Sequence, residues 1–219
     1  MRSLTRFINN NRLVLYSLEK TRKFYRQYDP GWYLYRRVAS EINMEAKFRD
    51  EFIELVYVTL SAWNMNSRRA RLAGFDVFKE SIHEHRDRFA RLSNFCLDGL
   101  TSAQLNEILW VDGHALFSNL VLVADTKPRL VTYSKTLHFF LPDLFMPIDR
   151  TYTLNYFCGN LNVPRRVEHQ FELLCKVLEE ARRFAASVPL AHFIDRVWNA
   201  NVPKTIDNII IGYQLLNRH

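Results

Sequence analysis

Glycine and cysteine are scarce in this chain: of 219 residues, 6 are Gly and 3 are Cys. No Asn-Gly-type hairpin signal lies between alternating apolar strands, so a β-rich fold has little support. Cys96, Cys158 and Cys175 are widely spaced. They form no zinc or iron–sulfur signature, and their odd number argues against a disulfide framework. A reducing, cytoplasmic setting is expected. No apolar run approaches the roughly 20 residues of a membrane helix. The opening MRSLTRFINNNRLVLYSLEK lacks a signal-peptide core. It is Arg-rich and acid-poor, faintly like an organelle transit peptide, but an amphipathic first helix is the better reading. No GxSxG elbow, P-loop or GxGxxG occurs, so those hydrolase, NTPase and dinucleotide routes lack support. His83 and His85 are two residues apart and point in different directions on a helix, against a metal site. No cofactor and no metal are expected.

What is present is a core and a basic surface. Hydrophobic residues make up 48% of the chain, with 16 Phe and 10 Tyr. That suffices for one compact domain or two closely packed lobes. Lys and Arg total 30 against 23 Asp and Glu, a formal charge of +7. A basic face gains affinity for polyanions by releasing counterions, which makes nucleic acid a candidate partner.

Periodicity predicts an all-α fold of about nine or ten helices. Over residues 48–63, Phe52, Leu55, Val56, Thr59 and Trp63 share a helix face. Residues 75–92 align Phe75, Phe78, Ile82 and Phe89. Thr101 with Gln104 has the form of a capping box, and Gly113 is expected to separate helical pieces over 102–111 and 114–124. Pro142 and Pro147 bound a short connection before a helix over 149–158. The longest helix is expected over 164–187, with Pro164 in its first turn. Pro189 opens a further helix to about Trp198, and Pro203 leads into the last, 204–216.

The most informative stretch is LVTYSKTLHFFLPDLFMPIDRTY, residues 130–152. Lys135 sits among Val131, Leu137, Phe139 and Phe140, and burial or a neighbouring cation can make a lysine nucleophilic. Asp149 follows the prolines. It can cap the next helix, or stabilise positive charge on a substrate. As residue types alone, a surface lysine and an N-cap are the simpler account. In WNMNSRRAR (63–71), Trp63 can stack on a base or pack in the core. Asn66 and Arg68 can contact a base edge or a phosphate, or end a helix. His138 lies near Lys135 on one helix face and is either a pocket residue or a packed, hydrogen-bonded one. Tyr133, Ser134, Arg150 and Tyr152 are further pocket candidates.

The segments YSKTLHFF and FMPIDRTY, with FIELVYVTLSAWNMNSRRARL upstream, resemble the helix–hairpin–helix–GPD DNA glycosylase superfamily. The match is nearer still to a group of bacterial and archaeal proteins that are remote relatives of those enzymes. It covers residues 50–215, loosely outside the two motifs. The resemblance implies a two-lobed all-α fold, DNA as partner, Lys135 as catalytic nucleophile and Asp149 as its essential carboxylate. It also implies a mechanism in which a flipped base leaves and Lys135 attacks C1′. Three departures accompany it. The hairpin counterpart ADTKPRLVTYSK holds no glycine, the segment from Lys135 to Asp149 is short, and the iron–sulfur cysteines of some members are missing. The alternatives are a non-catalytic nucleic-acid-binding protein on the same fold, or a helical interaction protein.

Overall fold

The computed structural model describes residues 1–25, 29–66, 71–124, 128–195 and 197–217. Among these the chain is all-helical, apart from an isolated antiparallel bridge between Leu72 and Val123. No helix of the described residues is long and apolar enough to cross a membrane. The buried apolar residues, from Leu4 to Ile210, form one continuous cluster.

The centre of that cluster is helix α8, Leu130–Phe140. Nine of its side chains are buried, and only Val131 and Lys135 keep partial exposure. A helix apolar on nearly every side must be covered on every side. Helix α3, Asp50–Ala62, covers one flank with Phe52, Ile53, Val56, Thr59 and Leu60. Its buried face is rotated slightly from the expected one, since Leu55 and Trp63 are only half-buried. Asp50 and Glu51 stand at its N-terminus, where the helix dipole favours acids.

The last helix, α11, spans Val202–Leu216 and is buried along most of its length. Asn201 caps it by accepting the Lys204 N–H at 2.8 Å, and Pro203 lies in its first turn, as expected. It packs most intimately on the first helix, α1, Asn11–Phe24. The buried face of α1 is small and polar at this seam, with Ser17 and Thr21. Thr21 Oγ1 donates to the Asn208 carbonyl at 2.6 Å. The approach is close because residue 212 is glycine: a Cβ there would lie 1.8 Å from the Ser17 carbonyl oxygen.

Other expected elements were displaced. Residues 75–92 form two helices, α4 (Phe75–Glu84) and α5 (Arg86–Leu92), because His85 leaves helical geometry while its ring bonds the Ser81 carbonyl at 2.9 Å. The capping box of Thr101 and Gln104 is present and starts a helix at Ser102. Gly113 does not break the chain there: a wide π-type turn, Leu109–Gly113, carries the helix through to Asn119. The long helix begins at Val167 rather than Pro164 and runs to Ser187. After Pro189 there is one short turn, Leu190–Phe193, instead of a helix to Trp198.

Gly212→Ala is expected to lower stability by about 1–3 kcal/mol or more, because the new methyl meets backbone and cannot be accommodated by a rotamer change. Urea denaturation of the two proteins tests this. Equal midpoints would mean that α1 and α11 are not held as closely as the structure has them.

Candidate functional site

Lys135 and Asp149 are placed by two side chains of α8 one helical turn apart. Ser134 Oγ accepts the Ile148 N–H at 3.0 Å. His138 Nδ1 bonds the Phe145 carbonyl at 2.7 Å, and its Nε2 lies 3.1 Å from the Tyr35 hydroxyl. The first contact fixes the tautomer: Nδ1–H donates, so Nε2 accepts from Tyr35. These bonds tie the proline-bounded turn 141–149 down along α8. His138 is therefore a buried structural residue, with burial pushing its imidazole down to about 3 against the pull of the Phe145 carbonyl. Tyr133 is also committed to structure, its hydroxyl donating to the Leu120 carbonyl at 2.5 Å.

Asp149 Oδ1 accepts the Tyr152 N–H at 2.6 Å and so caps the helical stretch Arg150–Cys158. Its own N–H donates to Thr153 Oγ1 at 3.4 Å, and Thr153 Oγ1 reaches Asp207 Oδ1 at 3.5 Å. Asp207, on α11, is fully enclosed and receives Lys204 Nζ at 2.5 Å. Lys204 lies over the rings of Tyr25 and Tyr35, 5.9 and 5.4 Å from their centroids. The charge of Asp207 holds Lys204 firmly protonated against its burial. Burial pushes the Asp207 carboxyl up and Lys204 opposes it; Asp149 adds to the rise and Lys135 to the fall. Both residues singled out from the sequence therefore act on one buried carboxylate, and neither Asp207 nor Lys204 was among the sequence candidates.

Lys135 Nζ lies over the indole of Trp63, 4.7 Å from the ring centre, a cation–π geometry. Trp63 is half-buried and packs against Phe139 and Tyr35, with centroids at 5.3 and 5.9 Å. Beyond Tyr35 the aromatic series continues to Trp32 at 5.4 Å, and Trp32 stacks on Trp198 at 4.5 Å with planes 7° apart. Tyr25 stacks on both indoles and feels the charge of Asp149. These rings open onto a surface groove of about 600 Å³ walled by Arg22, Arg36 and the ion pair of Lys23 with Glu19, as well as Tyr25, Trp32 and Trp198.

The remaining candidates make contacts of their own. Asn66 is exposed and donates from Nδ2 to Ser61 Oγ at 2.9 Å. Arg150 is exposed, its Nε donating to the Leu161 carbonyl at 2.7 Å. Tyr152 packs edge-on to Phe24 at 6.0 Å. Arg68 lies outside the described residues. No group of three or more potential metal ligands is found among the described residues.

Comparison with protein-family models, curated proteins and solved structures found no match. What the site can do therefore rests on its own chemistry. It offers a primary amine on an aromatic face, a carboxylate at a helix N-terminus, and a buried ion pair linked to that carboxylate through Thr153.

Two stability measurements probe this framework. The folded pKa of His138 lies below its ordinary 6.5, so between pH 6.5 and about 3 the unfolded chain binds the extra proton. Stability is then lost as pH falls through that window, by about 4–5 kcal/mol in all. His138→Gln should flatten the urea-stability profile between pH 6.5 and 4; an unchanged slope refutes the assignment. Separately, Lys204→Met leaves a carboxylate buried alone and is expected to cost about 3–5 kcal/mol. Lys204→Met with Asp207→Leu should recover most of that loss in the same assay.

Proposed function

We propose that this protein is a DNA-glycosylase-like protein of the two-lobed helix–hairpin–helix type, with Lys135 as nucleophile and Asp149 as its electrostatic and acid–base partner. The observation that carries the reading is geometric: Asp149 is linked through Thr153 to the buried Asp207, and Lys135 lies on the face of Trp63, in an aromatic series that runs to a groove rich in arginine and lysine. That setting suits a nucleic-acid substrate. Arginines hold phosphates, and flat rings accept bases without strict sequence preference.

In this reading an extruded nucleotide displaces Lys135 Nζ from the Trp63 face. Nζ gives up a proton to Asp149 and attacks C1′ of the sugar. The C1′–N bond breaks, and its electron pair leaves with the base, which takes up the proton that Asp149 received from Nζ. Opening of the sugar ring then yields a Schiff base at Lys135. Asp207 is an anion on the same side, and Asp149 becomes one again as it passes its proton to the base; both then oppose the positive charge on the sugar and lower the barrier.

A second reading is favoured by one contact. Asp149 Oδ1 is committed to the Tyr152 N–H. A carboxylate serving only as a cap leaves a basic, aromatic groove that binds nucleic acid without chemistry.

The test is borohydride trapping on a panel of lesion-containing oligonucleotides, beside Lys135→Ala and Asp149→Asn. The glycosylase reading expects a covalent adduct that vanishes in Lys135→Ala and forms about 10²–10³-fold more slowly in Asp149→Asn. No adduct on any lesion, together with salt-sensitive binding that weakens in Arg22→Ala/Arg36→Ala, moves the protein to the binding reading. Neither adduct nor binding overturns both.

A further inference from the structure

The protein buries a second lysine, under quite different circumstances. Lys47 lies in the short turn Ala46–Phe48 and is 4% exposed. Its Nζ donates to the Phe140 carbonyl at 3.1 Å, at the C-terminal end of α8. No carboxylate among the described residues pairs with it at contact distance, so two of its three hydrogen-bonding directions are left over. Lys47 lines a cavity of about 290 Å³ whose other polar residues are Tyr35, Glu41, Ser93, His138, Asp143 and Asn201. Of its polar and apolar lining, Ile42, Ser93 and Asp143 are exposed and mark the side facing solvent.

We propose that this cavity is a reactive-amine site in which Lys47 takes up a small aldehyde or ketone as an imine. The site is separate from the Lys135 pair and does not depend on it. The chemistry follows from what surrounds the amine. Burial pushes Lys47 down to about 8, opposed by Asp143 and Glu41, so a large fraction is neutral and nucleophilic near physiological pH. Burial pushes the Asp143 carboxyl up, with Lys47 pulling it down and Asp98 reinforcing the rise, which makes it a better proton relay than an ordinary carboxylate. His138 is neutral and uses its polar atoms elsewhere. Two acids against one amine disfavour an anionic ligand, and the remaining walls, Val38, Met44 and Phe139 among them, suit a small neutral carbonyl compound.

The step balances without any further reagent. The neutral amine adds to the carbonyl carbon, and the C=O pair moves to oxygen; the Asp143 carboxylate takes a proton from the nitrogen, now cationic, and passes it to that oxygen. The carbinolamine then expels that oxygen as water while the nitrogen lone pair forms the C=N bond. Both amine hydrogens leave in the water, with Asp143 relaying them.

Full-length protein treated with propanal and cyanoborohydride, followed by peptide mass mapping, tests the site. At pH 7.5 Lys47 holds on the order of a hundredfold more neutral amine than an ordinary lysine. It should be alkylated about tenfold or more faster than exposed Lys20 and Lys176, with a rate that saturates in propanal and rises through pH 8. Ser93→Trp, which narrows the cavity mouth, should slow Lys47 alkylation at an unchanged melting temperature. Alkylation of Lys47 no faster than that of exposed lysines, or a rate untouched by Ser93→Trp, overturns the proposal.

Discussion

A lysine and an aspartate buried 2.5 Å apart at the start of α11 constrain everything around them. Two charges taken out of water are tolerated only with close mutual contact and satisfied remaining positions. Here those positions are filled from four directions. Tyr25, just beyond α1, and Tyr35, in the helix Pro30–Ala39, cover Lys204 with their rings. Thr153 reaches Asp207 from the stretch after Asp149. Lys135 on α8 adds a second cation to its field. None of these segments can shift far without exposing an unpaired charge to a low-dielectric interior. The close α1–α11 seam is part of the same requirement, since α11 must be seated deeply for its first turn to be enclosed.

The second constraint is the pair of bonds from Ser134 and His138 to the turn that follows α8. A helix puts residues 134 and 138 on one face, and the turn folds back along that face. Lys135 lies on a neighbouring direction, one of only two partly exposed positions of its helix. Asp149 then emerges where the turn ends. The residues flanking the two reactive candidates are structural so that the candidates themselves keep a fixed relation. The centre combines Lys135 and Lys204 with Asp149 and Asp207, and within it Lys204 is the amine in direct contact with Asp207.

Local signals in the sequence translated well. The Thr101–Gln104 box, Asp149 as a cap, Pro203 at the start of α11 and the all-helical pattern each depend on neighbouring residues, so a short window contains them. The charge centre was invisible for the opposite reason. Asp207 is far in sequence from Lys135 and Asp149, and in the stretch VPKTIDN it reads as an ordinary i, i+3 surface pair. Only the packing of α11 on α1 shows that it is enclosed. Lys47 is hidden in the same way, since EAKFRDE looks like a solvated charge run. Gly113 misled because a wide helical turn absorbed it, and His85 because a side-chain bond to Ser81 competed with helix continuation.

Lys204 and Lys47 show what separates a structural amine from a reactive one. Both side chains are almost wholly enclosed, at 5% and 4% exposure. Burial alone disfavours the charge of each. Lys204 has a carboxylate in contact and two aromatic faces, so its proton is held and its lone pair is never free. Lys47 has one carbonyl and a cavity, and its nearby acids act only from a distance. The first arrangement stabilises a fold around a permanent charge. The second leaves an amine that exchanges its proton near neutrality, with space beside it for a reaction partner. Lys135 stands between these extremes, on an aromatic face rather than in a pair with Asp207, and near enough to the carboxylates to be influenced by both. A cation on an aromatic face is held less tightly by that contact than Lys204 is by its 2.5 Å bond to a carboxylate.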